Sequence, residues 1–366
     1  MDKKWITAIV LAIVVLAAAV AVVAITGDKS GNGDDGDGTI TVTDGIGRTV
    51  TLPEDIETVS SCSNVVASIL CGIGASDNIV AVSVDEGAYT DFDFVIGLVD
   101  DDYPQAIIDG LADGSIKNLG GMYNMSSESA LSVTSDLKIF TEYGYDPDTG
   151  AALDKLGVPY IVLKNEDSIE TVYSNIALLG KVMDREDAAS ELVSQMKDIV
   201  NKIKTWCASV SSGNKVSAAT FMGTSYACGD LYIKGAILKD IGAVNPFSDL
   251  GKYAQVSSEA IADKDPDVLI YTNVSMGSGN DSSTFLDEFL NDPVLGSTTA
   301  AENNNVYVVD GEKTDRATCT NSHQMLNAYA LWAMCIYSDY LPFEMPNIIT
   351  DDVFEDLIDQ FWETIN

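Results

Sequence analysis

The chain has 366 residues, room for roughly two cores of about 150 residues each, and its 46% hydrophobic and 21% charged residues exclude a disordered polymer. Against 20 Lys and Arg stand 56 Asp and Glu, a formal net charge of -36. That excludes nucleic-acid binding, because a phosphate backbone needs a dense basic footprint; the acidity serves solubility, in a saline medium or on a crowded cell surface, or meets a basic partner.

Trp5 to Ile25 carries no charge over 21 residues, and at 1.5 Å per residue such a run covers a hydrocarbon core of about 30 Å. Lys3 and Lys4 precede it while Asp28, Asp34, Asp35 and Asp37 follow, so the positive-inside bias holds the N-terminus in the cytoplasm and sends the rest outside. The run exceeds the core of a signal peptide. Residues 1–26 are therefore expected to form a retained anchor, cleavage being the alternative, and 27–38 a flexible acidic linker. Six cysteines in an exported chain permit disulfides without favouring a pairing, although a helix between Cys62 and Cys71 would make them poor mutual partners. Sequons at Asn124, Asn273 and Asn280 permit glycosylation.

Thr39 to Leu52 alternates apolar and polar residues about an Asp-Gly turn, the pattern of a hairpin. A strand at Glu57–Ser61, a helix at Asn64–Gly72 and a strand at Ile79–Ser83 begin a β-α-β alternation. It continues with a helix at Ser127–Val133, a strand at Leu137–Thr141, a helix at Gly150–Leu156 and a strand at Pro159–Leu163, closing a lobe over 39–164. The segment 165–212 is helical: Ile169, Val172, Ile176 and Leu179 share one face. A second set, Ala188, Leu192, Met196, Ile199, Ile203 and Trp206, marks one helix of about 37 Å over Glu186–Val210. The second lobe, 213–366, restarts with a strand at Lys215–Phe221 and a loop rich in Gly, Tyr and Ser. It adds a helix at Ile233–Ile241, strands at Val268–Tyr271 and Val306–Val309, and helical stretches at Asn321–Tyr340 and Asp351–Ile365. The fold class is α/β: two Rossmann-like lobes with central parallel sheets, joined by a single long backbone helix.

A single histidine, His323, excludes chemistry that needs two or more imidazoles, such as HExxH zinc sites. No GxSxG elbow accompanies it, so it reads as a surface histidine at a helix start. No GxxxxGK[ST] loop or complete GxGxxG fingerprint supports nucleotide binding, and no CxxC supports a zinc ribbon. The chain instead places aromatic and polar residues in loops at predicted carboxyl ends of strands, where open α/β sheets bind ligands. These include Ser63 and Asn64; Tyr123 and Asn124; Tyr143 and Tyr145; and, from the second lobe, Tyr226, Tyr232, Tyr253 and Arg316. Aromatic walls with few polar groups suit a bulky planar or greasy chelate, although any one tyrosine can instead only pack its loop.

These segments resemble a known family. VTDGIGRTVTLPEDIETVSS resembles the opening pattern of the class III periplasmic-type binding proteins that serve iron-siderophore, haem and vitamin B12 ABC importers. SSESALSVTSDLKIF resembles the family's helix-strand unit, with Ser135 in place of the usual Pro; QVSSEAIADKDPDVLIY is similar to the matching unit of the second lobe, and NNVYVVDGE to the late strand. The resemblance runs from about Thr41 to the C-terminus. It implies two α/β lobes with ligand held in the cleft and little hinge closure. It also implies that Glu128 and Glu259 match the two glutamates that meet arginines on the permease, one from each lobe. Tyr253 falls where a cobalamin-binding relative has an aromatic wall, and Arg316 near a polar cleft loop, able to pair with a ligand carboxylate or phosphate or with Asp315.

The expectation is an extracellular substrate-binding protein, monomeric and not an enzyme, without resident metal or cofactor. It would capture a metal chelate, ferric siderophore before corrinoid, and deliver it to an ABC permease-ATPase complex. The alternatives are a surface ligand-sensing module of the same fold and a metallocluster scaffold related to nitrogenase-like proteins, built on Cys62, Cys228 and Cys319.

Overall fold

A short hairpin precedes the first of two sheets: β1 (Thr39–Thr43) pairs with β2 (Thr49–Pro53) across the Asp-Gly turn. The computed structural model describes residues 38–84, 103–121, 125–165, 167–211, 213–272, 274, 281–310 and 322–366. The anchor segment, Tyr123, Asn124, Arg316, Cys319 and the three sequon asparagines lie outside them. Among the described residues, no helix is long and apolar enough to cross a membrane.

The first sheet contains β3 (Val59–Ser61), β4 (Ile79–Val82), β5 (Lys117–Asn118), β6 (Leu137–Thr141) and β7 (Tyr160–Leu163) in the order β5-β4-β3-β6-β7, every neighbour parallel. β3, β6 and β7 are buried along their whole length, as strands of a parallel sheet covered on both faces are. Strand order reverses at β3 and β6, and the crevice beyond their carboxyl ends is the ligand position such sheets provide. Helices α1 (Asn64–Gly72), α2 (Tyr103–Asp113), α3 (Ser127–Leu131) and α4 (Pro147–Leu156) connect the strands. α4 begins at Pro147, before the predicted Gly150, because Asp146 caps it and Pro occupies its first turn; Gly157, at φ 66°, ends it.

The turn at Asp44 fastens to this sheet. Asp44 Oδ2 accepts Arg48 Nε at 2.9 Å and Nη2 at 2.7 Å, and Gly45 N–H donates to Val162 O at 2.6 Å. The Arg48 guanidinium lies 3.9 Å from the Tyr160 ring centroid, and Tyr145 stacks on Tyr160 at 5.9 Å. Tyr145 therefore packs against the edge of the first sheet.

Two helices follow, α5 (Ile169–Val182) and α6 (Glu186–Ser211). The 26 residues of α6 extend about 39 Å. Its buried face runs through Ala189, Leu192, Met196, Ile199, Ile203 and Cys207, so the predicted stripe holds at its centre. At its ends the stripe shifts: Ala188 is exposed and Trp206 only half-buried, Ala189 having turned inward to meet α5 at Gly180, where a Cβ would collide with it.

The second sheet has the order β10-β9-β8-β11-β12-β13: β8 (Ala218–Met222), β9 (Tyr226–Cys228), β10 (Tyr253–Gln255), β11 (Val268–Thr272), β12 (Val306–Val309) and β13 (Ile348–Ile349). β8, β11, β12 and β13 are parallel, whereas β9 runs antiparallel to both β8 and β10. The loop predicted after β8 is thus partly an antiparallel extension of the sheet. Helices α7 (Ile233–Asp240), α8 (Ser258–Lys264), α9 (Ser282–Asn291), α10 (Thr299–Glu302), α11 (Leu326–Ile336) and α12 (Asp351–Ile365) surround it. Its core stacks Phe221 on Tyr271 at 4.6 Å, with Phe285 and Phe289 edge-on to Tyr271.

His323 is fully buried, which corrects the expectation of a surface residue. It opens a 3-10 turn, His323–Met325, that leads into α11, a helix buried at every position. The imidazole fills the space beside Gly72 of α1, where a Cβ would lie 2.9 Å from its Cε1, and Ser68 Oγ donates to Ser322 Oγ at 3.1 Å. These contacts join the helix that follows β3 to the segment that precedes α11.

Candidate functional site

The antiparallel edge of the second sheet carries the aromatic residues singled out in the sequence. Tyr253 pairs in register with Cys228, and Gln255 with Tyr226. Tyr226 and Tyr253 are then diagonal neighbours on one face, a spacing that long aromatic side chains bridge. Their rings meet edge to face at 6.4 Å, and Tyr232 meets Tyr253 the same way at 5.5 Å. Tyr226 and Tyr253 are 45% and 44% exposed, and Leu231 beside them 60%, so the cluster offers apolar area to a ligand.

Glycines place this cluster. A Cβ at Gly229 would run into the Gly251 carbonyl oxygen, and one at Gly235 into that of Gly229. Because both lack it, the backbones approach closely: Gly229 N–H donates to Lys252 O at 2.7 Å and Leu231 N–H to Gly251 O at 2.9 Å. Gly251 itself sits at φ 73°, a conformation glycine adopts without steric cost. Asn245 braces the same corner, its Nδ2 donating to Cys228 O at 2.9 Å and to Asp230 Oδ1 at 3.1 Å. Beneath it, the fully buried Lys234 donates from Nζ to Thr272 Oγ1 at 2.6 Å, and Thr272 donates to Phe221 O at 3.0 Å. The ends of β8 and β11 and the start of α7 are thereby tied together.

From the first sheet, Tyr143 follows β6 and is half-buried. Lys252 Nζ lies 5.8 Å from its ring centroid, which brings Tyr143 beside the residue that precedes Tyr253. Lys252 was not anticipated from the sequence; a cation flanked by Gly251 and Tyr253 in a chain this acidic was the available signal. Ser63 and Asn64 stand at the end of β3 and are occupied locally. The Ser63 side chain is fully buried and accepts from Val65 N–H at 3.2 Å as the cap of α1, and Asn64 Oδ1 accepts from the same N–H at 2.9 Å.

Glu128 and Glu259 occupy twin settings. Each is exposed in the first turn of a short helix, α3 or α8, capped by a serine: Ser126 accepts from Ser129 N–H at 3.0 Å, and Ser257 from Ala260 N–H at 3.3 Å. Downstream, at the same spacing, Asp136 and Asp267 enter β6 and β11. Asp136 Oδ2 accepts from Thr58 N–H, and Asp267 Oδ2 from Ser217 N–H, both at 2.8 Å. Glu259's own backbone N–H and the Ser257 hydroxyl hold its carboxyl below the usual carboxylate range.

Among the described cysteines, Cys62, Cys207, Cys228 and Cys335 are buried thiols outside any disulfide. Burial pushes Cys62 and Cys207 up to about 12 and Cys228 to about 11.

The fold has two α/β sheets, and Tyr143, which follows β6 of the first, meets Lys252, beside the tyrosine edge of the second. The sequence pattern of the periplasmic binding protein family matches residues 59–312, and the chain belongs to that family. It is similar to an uncharacterized ABC transporter substrate-binding lipoprotein, YvrC, of Bacillus subtilis (strain 168), 22% identical over 239 residues, 64% of this chain and 69% of that protein. It is also similar to the Fe(3+)-citrate-binding protein YfmC of the same organism, 25% identical over 188 residues, 50% of this chain and 58% of the relative. Among solved structures, a possible iron-binding (periplasmic solute-binding) protein from Staphylococcus epidermidis ATCC 12228 has the same fold, with a TM-score of 0.59 at 22% identity. The likeness covers 77% of this chain and 99% of that one. The protein is thus a substrate-binding protein rather than an enzyme, of a family whose members work with an ABC permease and ATPase.

Proposed function

We propose that the chain captures a ferric chelate on the tyrosine cluster, outside the cell, and hands it to the permease through Glu128 and Glu259. The observation that carries this reading is the approach of Tyr143, from the first sheet, to the Lys252–Tyr253 edge of the second, where Tyr226 and Tyr232 also converge. Tyrosine faces and edges cover a bulky complex by area and stacking rather than by catalysis. The names of the B. subtilis iron-citrate relative and the S. epidermidis neighbour support an iron chelate ahead of a corrinoid. Twin exposed carboxylates at separate helix starts fix orientation as well as attraction on a basic partner surface. In this reading the protein works as a monomer, holds no resident metal or cofactor besides its cargo, and is tethered by residues 1–26.

The test is a titration of the full-length chain in detergent micelles with ferric citrate, a ferric trihydroxamate, haemin and cobalamin, followed by quenching of Trp and Tyr fluorescence. Saturable binding of a ferric chelate that is weakened by Tyr253→Ala is expected. Preference for cobalamin would replace the ligand class, and silence across the panel from folded protein would overturn capture. Charge reversal at both Glu128 and Glu259 should abolish uptake in cells while leaving the titration unchanged; intact uptake would favour a sensing role.

A further inference from the structure

The chain carries almost three acidic residues for each basic one, so an anion approaching its surface meets repulsion over most of it. At the tyrosine cluster stands one exposed basic side chain. Lys252 is exposed, and the ion pairs among the described residues, Arg48–Asp44, Lys164–Asp167 and Lys204–Asp240, do not include it. Its main chain is fixed by the bond from Gly229 N–H, while its ammonium rests over Tyr143 at 5.8 Å. A four-carbon stem on a pinned backbone gives that ammonium a short, defined radius of action among Tyr143, Tyr253 and the ligand surface.

Magnitudes decide where the ammonium goes when an anion arrives. A cation resting on an exposed aromatic face gains about 0.5–1 kcal/mol, whereas a hydrogen bond between charged groups contributes about 1.5–3 kcal/mol. A ligand carboxylate or phenolate that shields the ammonium from water would therefore take it from Tyr143. We propose that Lys252 is the charge selector of the site: it makes the protein prefer an anionic ferric chelate, of the carboxylate or catecholate class, over a neutral one. This rests on the tyrosine cluster being the chelate site.

The experiment compares the full-length wild-type chain with Lys252→Gln, using ferric citrate and a ferric tris-catecholate as anionic probes and a neutral ferric trihydroxamate as control. Each is titrated from about 0.05 to 0.5 M salt, a range over which exposed charge pairs are progressively screened. Wild type should bind an anionic probe at least about tenfold more tightly than the neutral one. Lys252→Gln should lose about tenfold or more on the anionic probe, change the neutral one by less than about twofold, and flatten the salt dependence. Lys252→Arg should retain the preference. Equal losses on charged and neutral probes, or none on either, would overturn the selector while leaving chelate capture intact. Failure of wild type to bind any ferric chelate would overturn both.

Discussion

The first sheet is parallel throughout, and its strand ends pass straight into capped helices: at the end of β3 the hydroxyl of Ser63 is already spent on α1. The second sheet shares that parallel plan through β8, β11, β12 and β13 but adds an antiparallel pair at one edge. On that addition stand Tyr226, Tyr253 and Lys252. Among the described residues, the first half contributes Tyr143 to the candidate site, and the second contributes Tyr226, Tyr232 and Tyr253. The parallel frame is held by strand register and buried apolar side chains, whereas the edge is held by backbone approaches that only glycine permits.

The largest expected effect comes from breaking the edge. Gly229→Ala forces a Cβ against the Gly251 carbonyl and should cost about 1–3 kcal/mol of stability, as overpacking does. Because it displaces Lys252 and Tyr253, it should also weaken ligand binding more than any lost stability explains. Urea unfolding alongside the fluorescence titration separates the two; unchanged stability and affinity would mean that the corner is not set by this contact.

The two cores offer a sharper contrast. Tyr271 in the second sheet is wholly buried, and its hydroxyl has no hydrogen-bond partner among the described residues, whereas the Tyr160 hydroxyl in the first lies 3.3 Å from that of Tyr145. Tyr271→Phe should raise stability by about 1 kcal/mol, and Tyr160→Phe should lower it by about as much. Thermal melts showing the same sign for both would erase the distinction.

The smallest effect concerns the buried lysine of the first sheet. Lys138 Nζ donates to Val133 O at 2.8 Å, yet burial pushes its pKa below the ordinary 10.5, with Cys62 opposing. The unfolded chain then binds this proton more tightly, so the lysine disfavours folding at neutral pH, and that penalty fades as pH rises towards 10.5. The stability of Lys138→Met relative to wild type should therefore decline as pH rises towards 10.5. A difference independent of pH would show that the ammonium pays no burial penalty.

The frame was far more legible in the sequence than the edge. Val268–Tyr271 is a short apolar run that reads as a buried strand, and the spacing of Leu192, Met196, Ile199 and Ile203 fixes the long helix. β9 and β10 are three residues each and stand far apart in the chain, so neither builds a period of its own, and their pairing depends on contacts between Gly229 and Gly251 that no local pattern announces. The tyrosines could be named from their loops, but not sorted: Tyr145 packs on Tyr160, while Tyr226 and Tyr253 stay open. His323 reads as a surface residue when it is taken only as a helix start; the apolar stretch from Ala328 to Ile336 is the better guide to its burial.

The burial of the thiols bears on where such a protein can live. Oxidants attack the thiolate and need access to it. At Cys62, Cys207 and Cys228 the proton is retained far above neutral pH and the sulfur is sealed inside a core, as it also is at Cys335. Buried thiols of this kind are tolerable in an oxidising medium. Among the described cysteines only Cys71 is partly open to solvent, and of these it is the one on which peroxide or an alkylating reagent should leave its first mark.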